Sequence, residues 1–205
     1  MMHITLISHF EQHTDWLVQL RHALDQQTLR DGELVVWVRD KGIPTQDLPV
    51  AQLRWLARTY NLSLRWSWRH RSAATPDEAL HIPDEQRLRN ASRDFSGRRV
   101  LSVHGCAAAN ELLVAYPGDQ VLASPWSHSA NKPTSAPLLQ RVTVRQLAAR
   151  FPNRLHLVSG LTPDDLSDLR AVPLASLAFQ GVFVRDPATC LSQLLERLRA
   201  ASSPL

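Results

Sequence analysis

The chain has 205 residues, 44% hydrophobic and 20% charged, enough to bury one sizeable core and to argue for a single domain over residues 1–205. Its net charge of +4 is spread as interspersed Arg, Lys, Asp and Glu rather than in blocks, which suits small anionic ligands no less than nucleic acid. Cys106 and Cys190 form neither a CxxC pair nor a disulfide framework, and no cationic leader or apolar run of ~18 residues is present, so the expectation is a cytoplasmic protein without signal peptide or membrane span.

Short apolar runs rich in β-branched residues predict strands at residues 4–7, 34–38, 62–66, 80–82, 100–103, 121–123, 155–158 and 177–179. Helical spacing falls between most of them. It is carried by Trp16, Leu17, Leu20 and Leu24, then by Leu53, Leu56 and Ala57, then by Leu138, Val142, Val144 and Leu147, and last by Leu191, Leu194, Leu195 and Leu198. Thr162-Pro163-Asp164-Asp165 supplies a hydroxyl cap, a first-turn proline and two acids suited to the positive end of a helix. Residues 69–78 are polar, lack an apolar period, and are expected to be an irregular insertion. Strand, loop and helix repeated eight times predicts an α/β fold, a single-domain (β/α)8 TIM barrel, with an open doubly wound sheet as the alternative.

In such a barrel chemistry belongs at the C-terminal strand ends. Arg39, Asp40 and Lys41 follow the second predicted strand, and Ser67 to Arg71 the third. Pro83, Asp84 and Glu85 follow the fourth, and the fifth delivers His104. The sixth leads into a loop ending at Lys132, and the last two end in Ser159-Gly160 and Gln180-Gly181. Glycines there let backbone N–H groups approach a phosphate, and cations from three strand ends strengthen that reading over one in which the glycines merely turn the chain.

These strand ends carry a resemblance to the thiamine phosphate synthase/TenI family. The stretch VVWVRDKGIPTQDL resembles the family's strand ending Gln-Leu-Arg-Glu-Lys-Asp, so Arg39 and Lys41 match while Trp37 replaces a glutamine. VLSVHG is similar to Val-Ser-Thr-His-Ser, which places Ser102 and His104. SPWSHSANKP aligns without a gap on Gly-Pro-Val-Phe-Pro-Thr-Pro-Thr-Lys-Pro, with Pro125, Ser129, Asn131 and Lys132 in the loop that handles pyrophosphate. HLVSGLTPDDLSDL resembles the phosphate turn Ile-Gly-Gly-Ile-Thr-Pro-Glu-Asn, placing Ser159 and Gly160, and LAFQGVF with Gly181 resembles the eighth strand.

The resemblance implies that a pyrimidine diphosphate is joined to a thiazole phosphate with release of pyrophosphate, Mg²⁺ bridging the departing phosphates. Arg39, Lys41, His104 and Lys132 are then the catalytic candidates, and Ser102, Pro125, Ser129, Asn131, Ser159, Gly160 and Gly181 the substrate-binding ones. Ser67-Trp68 stands where the family has Asn-Asp, which removes a metal carboxylate and leaves Asp84 and Glu85 as the remaining metal candidates. Both acids equally suit the first turn of a helix. The family's other activity, thiazole tautomerisation by TenI-like members, is the alternative, although Pro125 occupies the position of their histidine and argues against it, and a phosphate-ligand-binding member without catalysis is another. The implied partner is a small phosphorylated pyrimidine or thiazole, with homo-oligomerisation left open.

Other features have ordinary readings. His9 and His13 are four apart, but Phe10 stands where a metalloprotease motif has its glutamate. His128 suits a solvated loop, and Cys106 a small buried filler better than a nucleophile. Residues 65–71 interleave tryptophan with arginine as a binder of single-stranded nucleic acid would. Strand alternation sends Trp66 and Trp68 to one face and Arg65 and Ser67 to the other, which serves a barrel strand equally well.

Overall fold

The computed structural model describes residues 2–8, 10, 15–128, 137–180 and 187–200. Eight strands, β1 (His3–Ile7), β2 (Leu34–Val38), β3 (Ser63–Ser67), β4 (Ala79–Ile82), β5 (Arg98–His104), β6 (Gln120–Ser124), β7 (Leu155–Val158) and β8 (Ser176–Phe179), pair in parallel and in chain order. β8 also pairs with β1, Ile4 opposite Leu177 and Leu6 opposite Phe179. That closure makes the fold a (β/α)8 barrel and overturns the open doubly wound alternative.

Alternation gives each strand two destinations. Ile4 and Leu6, Leu34, Val36 and Val38, Leu64 and Trp66, and their counterparts on the later strands face outward into the main core. The other face fills the lumen in layers, as barrel geometry requires. At the N-terminal end the layer is polar, with His3, Thr5, Gln120, His156 and Ser176. Two residues further along come Ile7, Leu122, Val158 and Ala178, which pack with Trp37, Ala79 and Val100 as an apolar middle layer. One more step along brings Arg39, His81, Ser102, Ser124 and Gly160 to the C-terminal mouth.

Among the described residues the α-helices are α1 (Trp16–Asp25), α2 (Val50–Thr59), α3 (Gln86–Ala91), α4 (Cys106–Ala115), α5 (Arg141–Arg150), α6 (Pro163–Leu169) and α7 (Pro187–Arg199). The expected stripes are buried on α1 (Trp16, Leu20, Leu24), α2 (Leu53, Leu56) and α7 (Leu191, Leu194, Leu195, Leu198), each leucine contributing about 1.5–3 kcal/mol. α5 departs from expectation. It begins only at Arg141, so Leu138 lies outside it, and Val142 is 68% exposed while Val144, Leu147 and Ala148 are buried.

The third connection also departs from the eightfold repeat, because no α-helix joins β3 to β4. A 3-10 segment, Trp68–Ala73, takes its place, and residues 69–78 are anchored rather than loose. His70 is fully buried, its Nε2 2.7 Å from the Asp40 carbonyl and its Nδ1 3.1 Å from Thr45 Oγ1. Glu78 accepts from Trp66 Nε1 at 2.8 Å, from the Thr75 N–H at 2.9 Å and from Arg54 at 3.3 Å. Polar composition hid this order, since its anchors are hydrogen bonds rather than an apolar stripe.

Candidate functional site

A continuous set of contacts runs round the mouth from β2 to β7. Arg39 follows β2, and its guanidinium lies 5.3 Å over the ring of the buried Trp37. It is half-buried, and among the described residues no carboxylate lies within ion-pair distance of it. Desolvation pulls its pKa below the ordinary arginine range, the mark of a cation short of counter-charge. The neighbouring Asp40 does not answer it, because its carboxylate accepts from the Ser8 hydroxyl, and Ser8 Oγ in turn accepts the Arg39 N–H at 3.0 Å.

Trp37 carries the contacts onward. Its Nε1 donates to Ser67 Oγ at 3.1 Å, and its ring lies 4.3 Å from that of His81. His81 Nε2 is 2.6 Å from the Ser102 hydroxyl. Burial first, then the positive charges of Arg39 and Arg65, hold the His81 pKa well below its ordinary value, so the ring is neutral at pH 7. On β5 and β6, His104 Nδ1 lies 2.9 Å from Ser124 Oγ, with the His104 ring exposed toward the mouth.

Beyond a cis Ser124–Pro125 peptide and the buried Pro125, the Trp126 and Ser127 N–H groups donate to the Ser159 carbonyl at 3.1 and 3.2 Å, and the Ser127 hydroxyl donates to the Gly160 carbonyl. Ser159 and Gly160 both have φ of +75°, a left-handed turn that aims the backbone at the end of β7. α6 follows with the expected start: the Asp165 carboxylate accepts the Thr162 N–H at 2.8 Å and Trp126 Nε1 at 2.8 Å, tying the helix to the loop after β6.

The structure therefore gathers Arg39, Ser102, His104, Pro125, Ser159 and Gly160 at one end of the barrel. Lys41 is exposed at the rim. Ser129, Asn131, Lys132 and Gly181 lie outside the described residues, as do His9 and His13. Cys106 is half-buried at the start of α4, and neither cysteine is in a disulfide. Arg65 and Trp66 are buried at 2% and 0% exposure, which takes both out of reach of nucleic-acid bases.

The Mg²⁺ expected from the resemblance does not fit the acids available to it. The Asp84 carboxylate pairs with Arg89, and Glu85 Oε2 lies 2.9 Å from Arg87 Nε. Both acids are exposed before α3, and among the described residues no group of three or more His, Cys, Asp or Glu side chains could hold a metal ion. Trp68, at the family's acid position, lies instead under the Arg71 guanidinium at 4.7 Å.

Sequence reasoning missed His81 and treated Trp37 only as a replacement. His81 alternates with the outward Leu80 and Ile82, a period-2 signal that marks it as lumen-facing.

No family model matches the chain, and no curated protein matches it in sequence. Its fold is shared with solved structures. A thiamine phosphate pyrophosphorylase from Pyrococcus furiosus superposes with a TM-score of 0.74 at 15% identity, covering 97% of this chain and 96% of that one. The 3-hexulose-6-phosphate synthase from Salmonella typhimurium gives 0.62 at 11% identity, covering 97% and 99%. The 3-keto-L-gulonate-6-phosphate decarboxylase from Vibrio cholerae gives 0.60 at 12%, covering 97% and 98%. At these identities the likeness concerns the fold, a single TIM barrel matched along nearly its whole length.

Proposed function

We propose that the C-terminal mouth binds a small phosphorylated heterocycle and that the chain is a divergent thiamine phosphate synthase, joining hydroxymethylpyrimidine diphosphate to thiazole phosphate with release of pyrophosphate. The observation that carries this reading is Arg39, a half-buried cation on an aromatic face at the mouth with no carboxylate to neutralise it. A guanidinium so placed is complementary to phosphate oxygens and best matched to charge that grows on a leaving group. The names of the three similar structures each carry a phosphate, which agrees with an anion-binding mouth.

In this reading Arg39 and Lys132 hold the diphosphate, and the Lys41 side chain adds charge at the rim. The backbone at Gly160 and Gly181 cradles the thiazole phosphate. The half-buried Ser102 hydroxyl, 2.6 Å from the neutral His81 ring, is a hydrogen-bonding group for the heterocycle, and the buried Trp37 ring supports His81 from below. His104 stands beside Ser124 to donate or accept a hydrogen bond at the reacting end. No step passes through a metal, because Asp84 and Glu85 are engaged by arginines.

The test is a product assay with purified protein and both substrates, run with and without Mg²⁺ and read for thiamine phosphate against a no-enzyme control. The reading expects product, reduced at least about tenfold by Arg39→Ala, the cost of losing a hydrogen bond to a charged group. Folded protein that makes no product while still binding thiazole phosphate would overturn the transferase reading in favour of a binding role.

A further inference from the structure

The N-terminal half of the lumen contains a second charged feature, separated from the mouth by the apolar middle layer. Arg65, on β3, is buried to 2% exposure, and its guanidinium crosses to β7, where Nη2 lies 3.4 Å from His156 Nδ1. His156 is held on both sides. Its Nε2 lies 3.0 Å from Gln120 Oε1, an acceptor that fixes the proton on Nε2. Its Nδ1 is then the acceptor, 2.6 Å from the Ser176 hydroxyl, which also receives the Thr5 hydroxyl at 3.1 Å. Arg65 is not satisfied by this network: Nε and Nη1 are buried without a hydrogen-bond partner, and so is His3 Nε2.

Nor is its charge matched. Each buried carboxylate among the described residues is engaged elsewhere: Glu33 by Arg199 at 2.6 Å, Glu78 by Arg54 at 3.3 Å, Asp119 by Arg99 at 2.6 Å, and Asp40 by the Ser8 hydroxyl. The other titratable groups facing Arg65 are Arg98, which adds positive charge, and the histidines 3, 81 and 156. A fully buried guanidinium with two free donor atoms and no counter-charge is among the costliest arrangements in a protein interior. Ala79, the register neighbour of Arg65 on β4, brings no polar side-chain atom to the guanidinium.

We propose that the lower lumen is a binding site for a small monovalent inorganic anion, held by Arg65 Nε and Nη1. The ion supplies the missing counter-charge and accepts the two unpartnered N–H groups. It is structural in role, lying at the barrel end opposite the mouth, and does not depend on what the mouth binds.

Chloride is the probe, with bromide as its anomalous-scattering equivalent. Thermal unfolding at pH 7.5 is compared in sodium chloride and in sodium gluconate at matched ionic strength, gluconate being a much larger organic anion. The wild type is expected to melt on the order of 2–4 °C higher in chloride, and Arg65→Met to lose that difference. Equal melting in the two salts, or a chloride dependence that survives in Arg65→Met, overturns the site. A crystal grown in bromide decides the matter even where the variant does not fold: an anomalous peak in contact with Arg65 supports the proposal, and none there contradicts it.

Discussion

Arg39 and the three lumen histidines belong to different residue-scale arguments. Arg39 gives the fold no ion pair, so what it contributes is expected at the ligand rather than in stability. The histidines act the other way. Burial, with Arg65 and Arg98 adding to it, lowers the His3 pKa to about 3, and burial chiefly holds His81 and His156 well below 6.5. The unfolded chain takes up protons near 6.5 that the folded chain refuses, so stability is complete above that pH and falls as pH drops through the window beneath it. Each histidine is expected to remove about 1.4 kcal/mol per pH unit there. Urea midpoints at pH 7 and pH 5 check this, and an unchanged midpoint would contradict it. Arg39, Lys41 and His104 were legible as candidates because each stands at or just past a strand end, whereas Ser102, inside β5, came only from the family resemblance. The partnership of Trp37 with His81 and the reach of Arg65 to His156 were not, because they join strands whose register the sequence does not display.

At the scale of elements, the turn after β7 is the most constrained piece of the mouth. A Cβ on Gly160 would overlap Ser127 Oγ and the Ser127 backbone, and the position has φ of +75°. Gly160→Ala should therefore destabilise by more than the roughly 1 kcal/mol of a left-handed alanine, and should detach the loop after β6 from β7. A urea titration showing a loss of at least about 1.5 kcal/mol fits, whereas a wild-type midpoint would show that the turn relaxes without cost. The start of α6 was readable, since Thr162, Pro163 and Asp165 encode it within four residues. The third crossover was not. Its 3-10 segment is held through Glu78 and His70 by Arg54, Trp66, Thr45 and the Asp40 carbonyl, most of them distant in sequence.

Over the whole molecule the barrel was legible because parallel strands buried on both faces read as short apolar runs, and all eight expected strands are present. Arg65, His81 and His156 interrupt those runs on the lumen face, which separates the lumen into polar ends and an apolar middle. No helix among the described residues is long and apolar enough to cross a membrane. The central proposal is that the mouth at one end of this barrel selects phosphate through Arg39. The measurement that tests it most directly is calorimetric titration with thiazole phosphate and with the corresponding unphosphorylated thiazole alcohol, on the wild type and on Arg39→Ala. The account predicts that the phosphate binds at least about tenfold tighter, and that Arg39→Ala abolishes most of this preference while its melting temperature stays at or above the wild-type value. Equal affinity for the two compounds, or a phosphate preference that Arg39→Ala leaves intact, would contradict it.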